Sequence, residues 1–178
     1  MRWQLRNSAT AYGQAGRILH WTSVALLAVI VVISAQFEGL TGGPEKSALI
    51  GRHASYGLLL LLLMLLRAAW RFTNINPVAS FTIRAWQKRL AVSIHLFVYT
   101  IVISQCVIGI AQLVTHDPAI TIFGTVDVGT ASAGNAGIRE LLRDWHAGIA
   151  RLIYITISIH VCAAIYHHIF GVVERDTS

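Results

Sequence analysis

The sequence predicts an all-α integral membrane protein, a bundle of four transmembrane helices with both termini cytoplasmic. Three observations predict it. The chain is 55% hydrophobic and 12% charged, with a mean hydropathy of +0.62, against about 25% charged residues in an ordinary globular domain. Its apolar residues gather in four blocks, Ile18–Phe37, Ala48–Trp70, Leu90–Thr115 and Trp145–Val173. Each is at least about the 20 residues that carry a helix across a hydrocarbon core. Leu58 to Leu66 is leucine throughout except for Met64, which leaves no polar stripe for water. A soluble bundle of 178 residues could not cover itself with so few charges.

The elements follow in order. Residues 1–16 are a polar lead-in, and the first helix is expected over about 17–38. The loop EGLTGGPEKS carries turn-forming Gly and Pro. The second helix is expected over about 47–70. NINPVASF reads as a loop, and TIRAWQKR as a short amphipathic piece at the interface. The third helix is expected over about 88–114. Residues 115–143 form the longest exposed loop, with a flexible centre, GTASAGNAG, and a helical lead-in, GIRELLRD. The fourth helix is expected over about 144–172. The whole chain, 1–178, is thus one four-helix domain.

Lys and Arg in the short loops set the orientation. Arg2, Arg6, Arg17, Arg67, Arg71, Arg84, Lys88, Arg89 and Arg175 fall on one side; Lys46, Arg52, Arg139 and Arg143 fall on the other. The richer side is cytoplasmic. The net charge of +6 is explained by this asymmetry, and no separate basic domain speaks for nucleic acid. The long first apolar run lacks a small-residue cleavage site, so it reads as an uncleaved helix. Trp21, Trp70, Trp86 and Trp145 lie near helix ends, where aromatic belts sit. Cys106 and Cys162 read as small packing residues, and no Cys-x-x-Cys-His is present.

Five of the eight histidines, His20, His53, His95, His146 and His160, fall within the expected spans. An ionisable side chain there is a functional-site hypothesis by default; the bland alternative, interhelical hydrogen bonding, strains to cover five. His146 and His160 are 14 residues apart. That is about 21 Å along the axis and within about 40° of the same direction. Both rings face one interior at two depths, too far apart to share an ion. His20 lies at the depth of His160, and His53 at the depth of His146. Paired imidazoles suit haem iron, whereas zinc wants about four ligands with Cys or carboxylate among them. Four-helix bundles hold cofactors in this way.

His95 also lies at the depth of His20. It is either a replacement ligand, a hydrogen-bond partner for a propionate, or a packing residue. His167, seven residues past His160, returns to the same face about 10 Å nearer the cytoplasm. It could meet a quinone head group, shuttle its protons, or sit among lipid headgroups. His116 and His168 read as loop and interfacial residues. Gly57, one turn after His53, serves either porphyrin approach or close helix packing.

GRILHW around His20, IGRHASYG around His53, SIHLFVY around His95, and WHAGIARLIYITISIH followed by YHHIF resemble the bacterial cytochrome b561 family. The resemblance covers about residues 14–172. It implies an inner-membrane protein with two haems b, His20 and His160 on the cytoplasmic-side iron and His53 and His146 on the periplasmic-side iron. It further implies exchange of electrons with the quinone pool, ubiquinone in particular, and, more weakly, His167 in the quinone region. Some members oxidise periplasmic superoxide. Lys46, Arg52, Arg139 and Arg143 could attract that anion, although Glu38, Glu45, Asp117, Asp127, Glu140 and Asp144 share their face. Two other readings stand beside this one: an anchor subunit that relays electrons from a periplasmic partner, and a His-lined metal or proton transporter. Sparse intramembrane carboxylates weigh against the transporter.

Overall fold

The computed structural model describes residues 5, 13–74, 85–129 and 136–176; the side chains of 85, 87, 88, 91, 167, 168 and 170–176 lie outside the description. Four long helices and a small hairpin make up the described chain: α1 (Gln14–Glu38), α2 (Pro44–Thr73), α3 (Ala85–Val114), β1 (Ile120–Ile122), β2 (Val126–Val128) and α4 (Ala136–Asp176). All four helices are long and apolar enough to cross a membrane. Their outward faces carry large apolar side chains, among them Val32, Leu62, Phe97 and Ile159. Lipid, and not water, is the solvent such faces suit.

Local chemistry explains the boundaries. Gly43 (φ 94) turns the chain, and Pro44 opens α2 at its first turn, where a missing N–H costs nothing. The connection between α1 and α2 is drawn in by Lys46, whose Nζ donates to the Leu40 carbonyl at 2.7 Å. α3 begins at Ala85, so the latter part of TIRAWQKR is its first turn and not a separate interfacial piece. α4 begins at Ala136, about two turns before the expected start. GIRELLRD is continuous with the span because nothing in it breaks a helix. At 41 residues, α4 is about 61 Å long, roughly twice the hydrocarbon thickness, so both its ends stand clear of the core.

The expected long loop contains a hairpin. Ile120 pairs with Val128, Thr121 with Asp127 and Ile122 with Val126, antiparallel. The turn passes through Phe123 (φ 50) and Gly124 (φ 70). Ile120 and Ile122 are buried with Leu113 against Ile50, Ala54 and Leu58. Gly51 permits this contact: a Cβ there would clash with the Thr121 carbonyl oxygen. Ser55 Oγ donates to the Gly51 carbonyl at 2.7 Å and accepts from the Phe123 N–H at 2.8 Å. The hairpin is thereby fastened over the first turns of α2. The centre of GTASAGNAG, 130–135, lies outside the described residues.

α2 packs against α1 and α3, and α3 against α4. The core is one apolar layer across the middle of the bundle: Ile30 from α1, Leu60 and Met64 from α2, Ile101 and Val102 from α3, and Ile153 from α4. Ile153 stands seven residues from His146 and seven from His160. The layer therefore separates two polar levels.

Candidate functional site

The outer level is built from α2, α3 and α4. The rings of His53 and His146 have centroids 6.2 Å apart and planes inclined at 68°. Phe37 closes on His53 edge to face at 5.4 Å. The backbone of Ile30 lies beside the His53 ring, and the backbone of Gln105 beside the His146 ring. The Nδ1 atoms of both rings are buried without a partner. His146 reaches the α3 backbone through a notch at Gly109, where a Cβ would lie 3.1 Å from the His146 Cε1.

The inner level gathers more groups. His95 and His160 have ring centroids 6.1 Å apart and planes at 83°. His20 is within electrostatic reach of both. Arg67, on α2, donates from Nη2 to the His20 Nδ1 at 2.9 Å. Its guanidinium carbon lies 5.5 Å from the centroid of the Tyr99 ring. His20 also stacks edgewise on its neighbour Trp21 at 5.4 Å. The His167 side chain lies outside the described residues.

This donor set fits haem. Two imidazoles that share one iron hold their centroids about 6 Å apart, from metal–nitrogen bonds of about 2 Å and the radius of each ring. A ligating histidine typically donates its other N–H to a carbonyl or carboxylate. Each outer ring has main chain beside it and a buried nitrogen without a partner, and such a ring is free to ligate through one nitrogen. Among the described residues, no three His, Cys, Asp or Glu side chains are grouped to hold a bare ion. Pairs of imidazoles suit an iron whose other four positions belong to a porphyrin.

The expected histidines are thus gathered at two levels, His53 with His146 and His160 with both His20 and His95. Several contributors escape the sequence. Arg67 counts there only as a loop-flanking charge, although it stands six residues inside the end of α2. Gly109 carries one signal, a glycine midway along an apolar helix with Gln105 and Gln112 on its own face. Gly57, by contrast, faces open space, with nothing within 4 Å of a would-be Cβ, so close helix packing does not require it.

Comparison with known proteins agrees with this chemistry. The chain is 27% identical over 150 residues to the probable superoxide oxidase CybB of Yersinia pestis, a match that covers 84% of each chain. It is 24% identical over 152 residues to cytochrome b561 homolog 1 of Escherichia coli (strain K12), covering 84% of this chain and 85% of that one. Residues 11–175 match the sequence profile of prokaryotic cytochrome b561. With four membrane-spanning helices and histidines paired across them, this chain belongs to the prokaryotic cytochrome b561 family, the multi-pass membrane b-type cytochromes of electron transfer.

Proposed function

We propose that the protein is a two-haem cytochrome of the inner membrane, with both termini in the cytoplasm, that carries electrons between a periplasmic-side donor and the quinone pool. The observation that carries the reading is the 6.2 Å pairing of His53 with His146, at one end of a bundle whose other end presents His160 with two further imidazoles. The haem supplies one-electron chemistry when bound. The chain supplies the rest. With a pair of imidazoles to hold each iron, a bound haem would offer no place at the metal for oxygen or substrate, so donor and acceptor would react near each surface of the bundle. The apolar layer around Ile153 excludes water between the levels.

At the inner level, His20 and His160 are the ligands that the chain's resemblance to its family implies. A second reading, His95 with His160, is favoured by the 6.1 Å separation of those rings, which matches the outer pair. The inner edge would serve ubiquinone, in the region where the resemblance implies His167. Superoxide as the donor is supported by the name of the Yersinia relative and by Arg52, exposed beside His53. Two of the other outer cations are less available: Lys46 is bound to Leu40, and Arg143 lies 3.4 Å from Glu140 and 3.9 Å from Asp144.

The test is a pyridine haemochrome assay on the purified full chain, read against protein concentration. About two non-covalent haems b per chain are expected, one for each pair of axial histidines. Folded protein without haem, expressed with ample haem supply, would remove the reading.

A further inference from the structure

Among the described residues, Arg67 has no acidic partner. It lies in a membrane-spanning helix, six residues before the end of α2 at Thr73. Arginines near helix ends usually extend toward the headgroups. Arg67 instead turns sideways, to His20 on α1 and Tyr99 on α3. Six of the eight Asp and Glu residues, Glu38, Glu45, Asp117, Asp127, Glu140 and Asp144, belong to the opposite end of the bundle. The other two, Glu174 and Asp176, follow His160 by 14 and 16 residues, at least about 21 Å farther along the helix. Among the described residues, no carboxylate stands at the level of Arg67.

A second donor shares its face. Trp70 follows Arg67 by three residues, about 60° around the helix, and its Nε1 is buried without a partner. A half-buried guanidinium and a buried indole N–H on one face call for an acceptor that carries negative charge. His20 is a poor final partner for Arg67. A ligating imidazole donates its second N–H, whereas here the His20 Nδ1 accepts from Arg67.

We infer that Arg67, assisted by Trp70, binds a carboxylate at the inner level, a propionate of the inner haem. The inference rests on the two-haem reading. Arg67 then anchors the porphyrin through its acid side chain and leaves His20 free of the guanidinium. A positive charge beside the macrocycle favours the reduced iron, so its removal lowers the midpoint potential of the inner haem.

The experiment compares wild type, Arg67→Gln, Arg67→Lys and Trp70→Phe in the full chain, each loaded with haem b and, separately, with haem dimethyl ester, whose propionates carry no charge. Redox titration and haem retention are the readouts. Wild type with two haems per chain isolates the question to Arg67; wild type without an inner haem overturns this inference together with the reading beneath it. Arg67→Gln is expected to shift the inner haem's preference between oxidation states about tenfold toward the oxidised form, which is about 59 mV for a one-electron couple. The ester in wild type leaves the guanidinium uncompensated and should shift the potential the opposite way, and wild type should retain it less well than haem b, a difference that should vanish in Arg67→Gln. Arg67→Lys should keep most of the wild-type potential, and Trp70→Phe should move it part of the way. An unchanged potential in Arg67→Gln, or an ester that wild type retains as well as haem b, would overturn the inference. Should Arg67→Gln lose the inner haem outright, wild type must also bind the ester at least about tenfold more weakly; undiminished binding counts against the propionate. A potential that ignores the ester but follows phosphatidylglycerol content would assign Arg67 to a lipid phosphate instead.

Discussion

His146 lies against Gly109 of the neighbouring helix so closely that a methyl group there would come within 3.1 Å of its Cε1. The main chain of Gln105, one turn earlier on α3, lies beside the same ring. The glycine is what lets an imidazole on α4 lie against the main chain of α3. Gly109→Ala should therefore displace the ring by a few tenths of an ångström and weaken outer-haem retention about tenfold, the lower end of the effect of disturbing a ligand's orienting partners. Low-temperature spectra that resolve the two haems would show the outer signal changed and the inner one untouched. Equal effects on both would mean that the glycine serves general packing.

Single ligand losses separate the levels. On the two-haem reading, in which each pair serves one iron, His146→Ala or His53→Ala should leave about one haem per chain, the inner one, and His160→Ala should leave the outer one. Haem content and redox titration of the three variants check this. Two haems retained in any of them would sink the assignment for that residue.

The inner partner of His160 is decided by two more substitutions. If His20 ligates, His20→Ala loses the inner haem and His95→Ala keeps it with a shifted potential; if His95 ligates, the outcomes exchange. Loss in both variants would show that the third imidazole is needed to hold the ligand in place.

The hairpin should be separable from the bundle. Ser55→Ala removes the acceptor of the Phe123 N–H, at a cost of about 1–3 kcal/mol for the stranded donor. Hydrogen exchange across 120–128 should rise well above that of α2 while haem content stays near the wild-type value. Unchanged exchange would mean that the burial of Ile120 and Ile122 suffices.

Arg52, exposed beside His53, bears on the donor. If superoxide is that donor, Arg52→Gln should slow haem reduction severalfold at low ionic strength and flatten its salt dependence, since steering of a small anion is screened by salt. Reduction no faster than the uncatalysed background in wild type would remove superoxide from consideration.

The parts of this architecture that were legible in the sequence are those governed by a one-dimensional rule. Hydropathy locates the four spans because lipid tolerates nothing else, and the 14-residue interval between His146 and His160 places both on one face because the helix period is fixed. Depth can be read in this way, but rotation about each helix axis cannot. Hence the sequence brings His20 and His95 to one level without saying which ring meets His160, and does not show that Arg67 turns inward to His20. The hairpin was missed for a different reason. Its strands, ITI and VDV, are three residues each, too short for alternation to register, and what stabilises them is the shape of α2 around Gly51 and Ser55.

The apolar layer of Ile30, Leu60, Met64, Ile101, Val102 and Ile153 has an electrical consequence. On the two-haem reading it is the insulator between two plates, spanning the about 21 Å that separate His146 from His160 within a hydrocarbon thickness of about 30 Å. An electron that passes from one level to the other crosses roughly two-thirds of the membrane voltage, about 1.5 kcal/mol at 100 mV. Its proton, held back by the same layer, does not accompany it. Each turnover would then displace net charge, and its rate would respond to the state of energisation of the membrane as well as to the supply of donor and quinone.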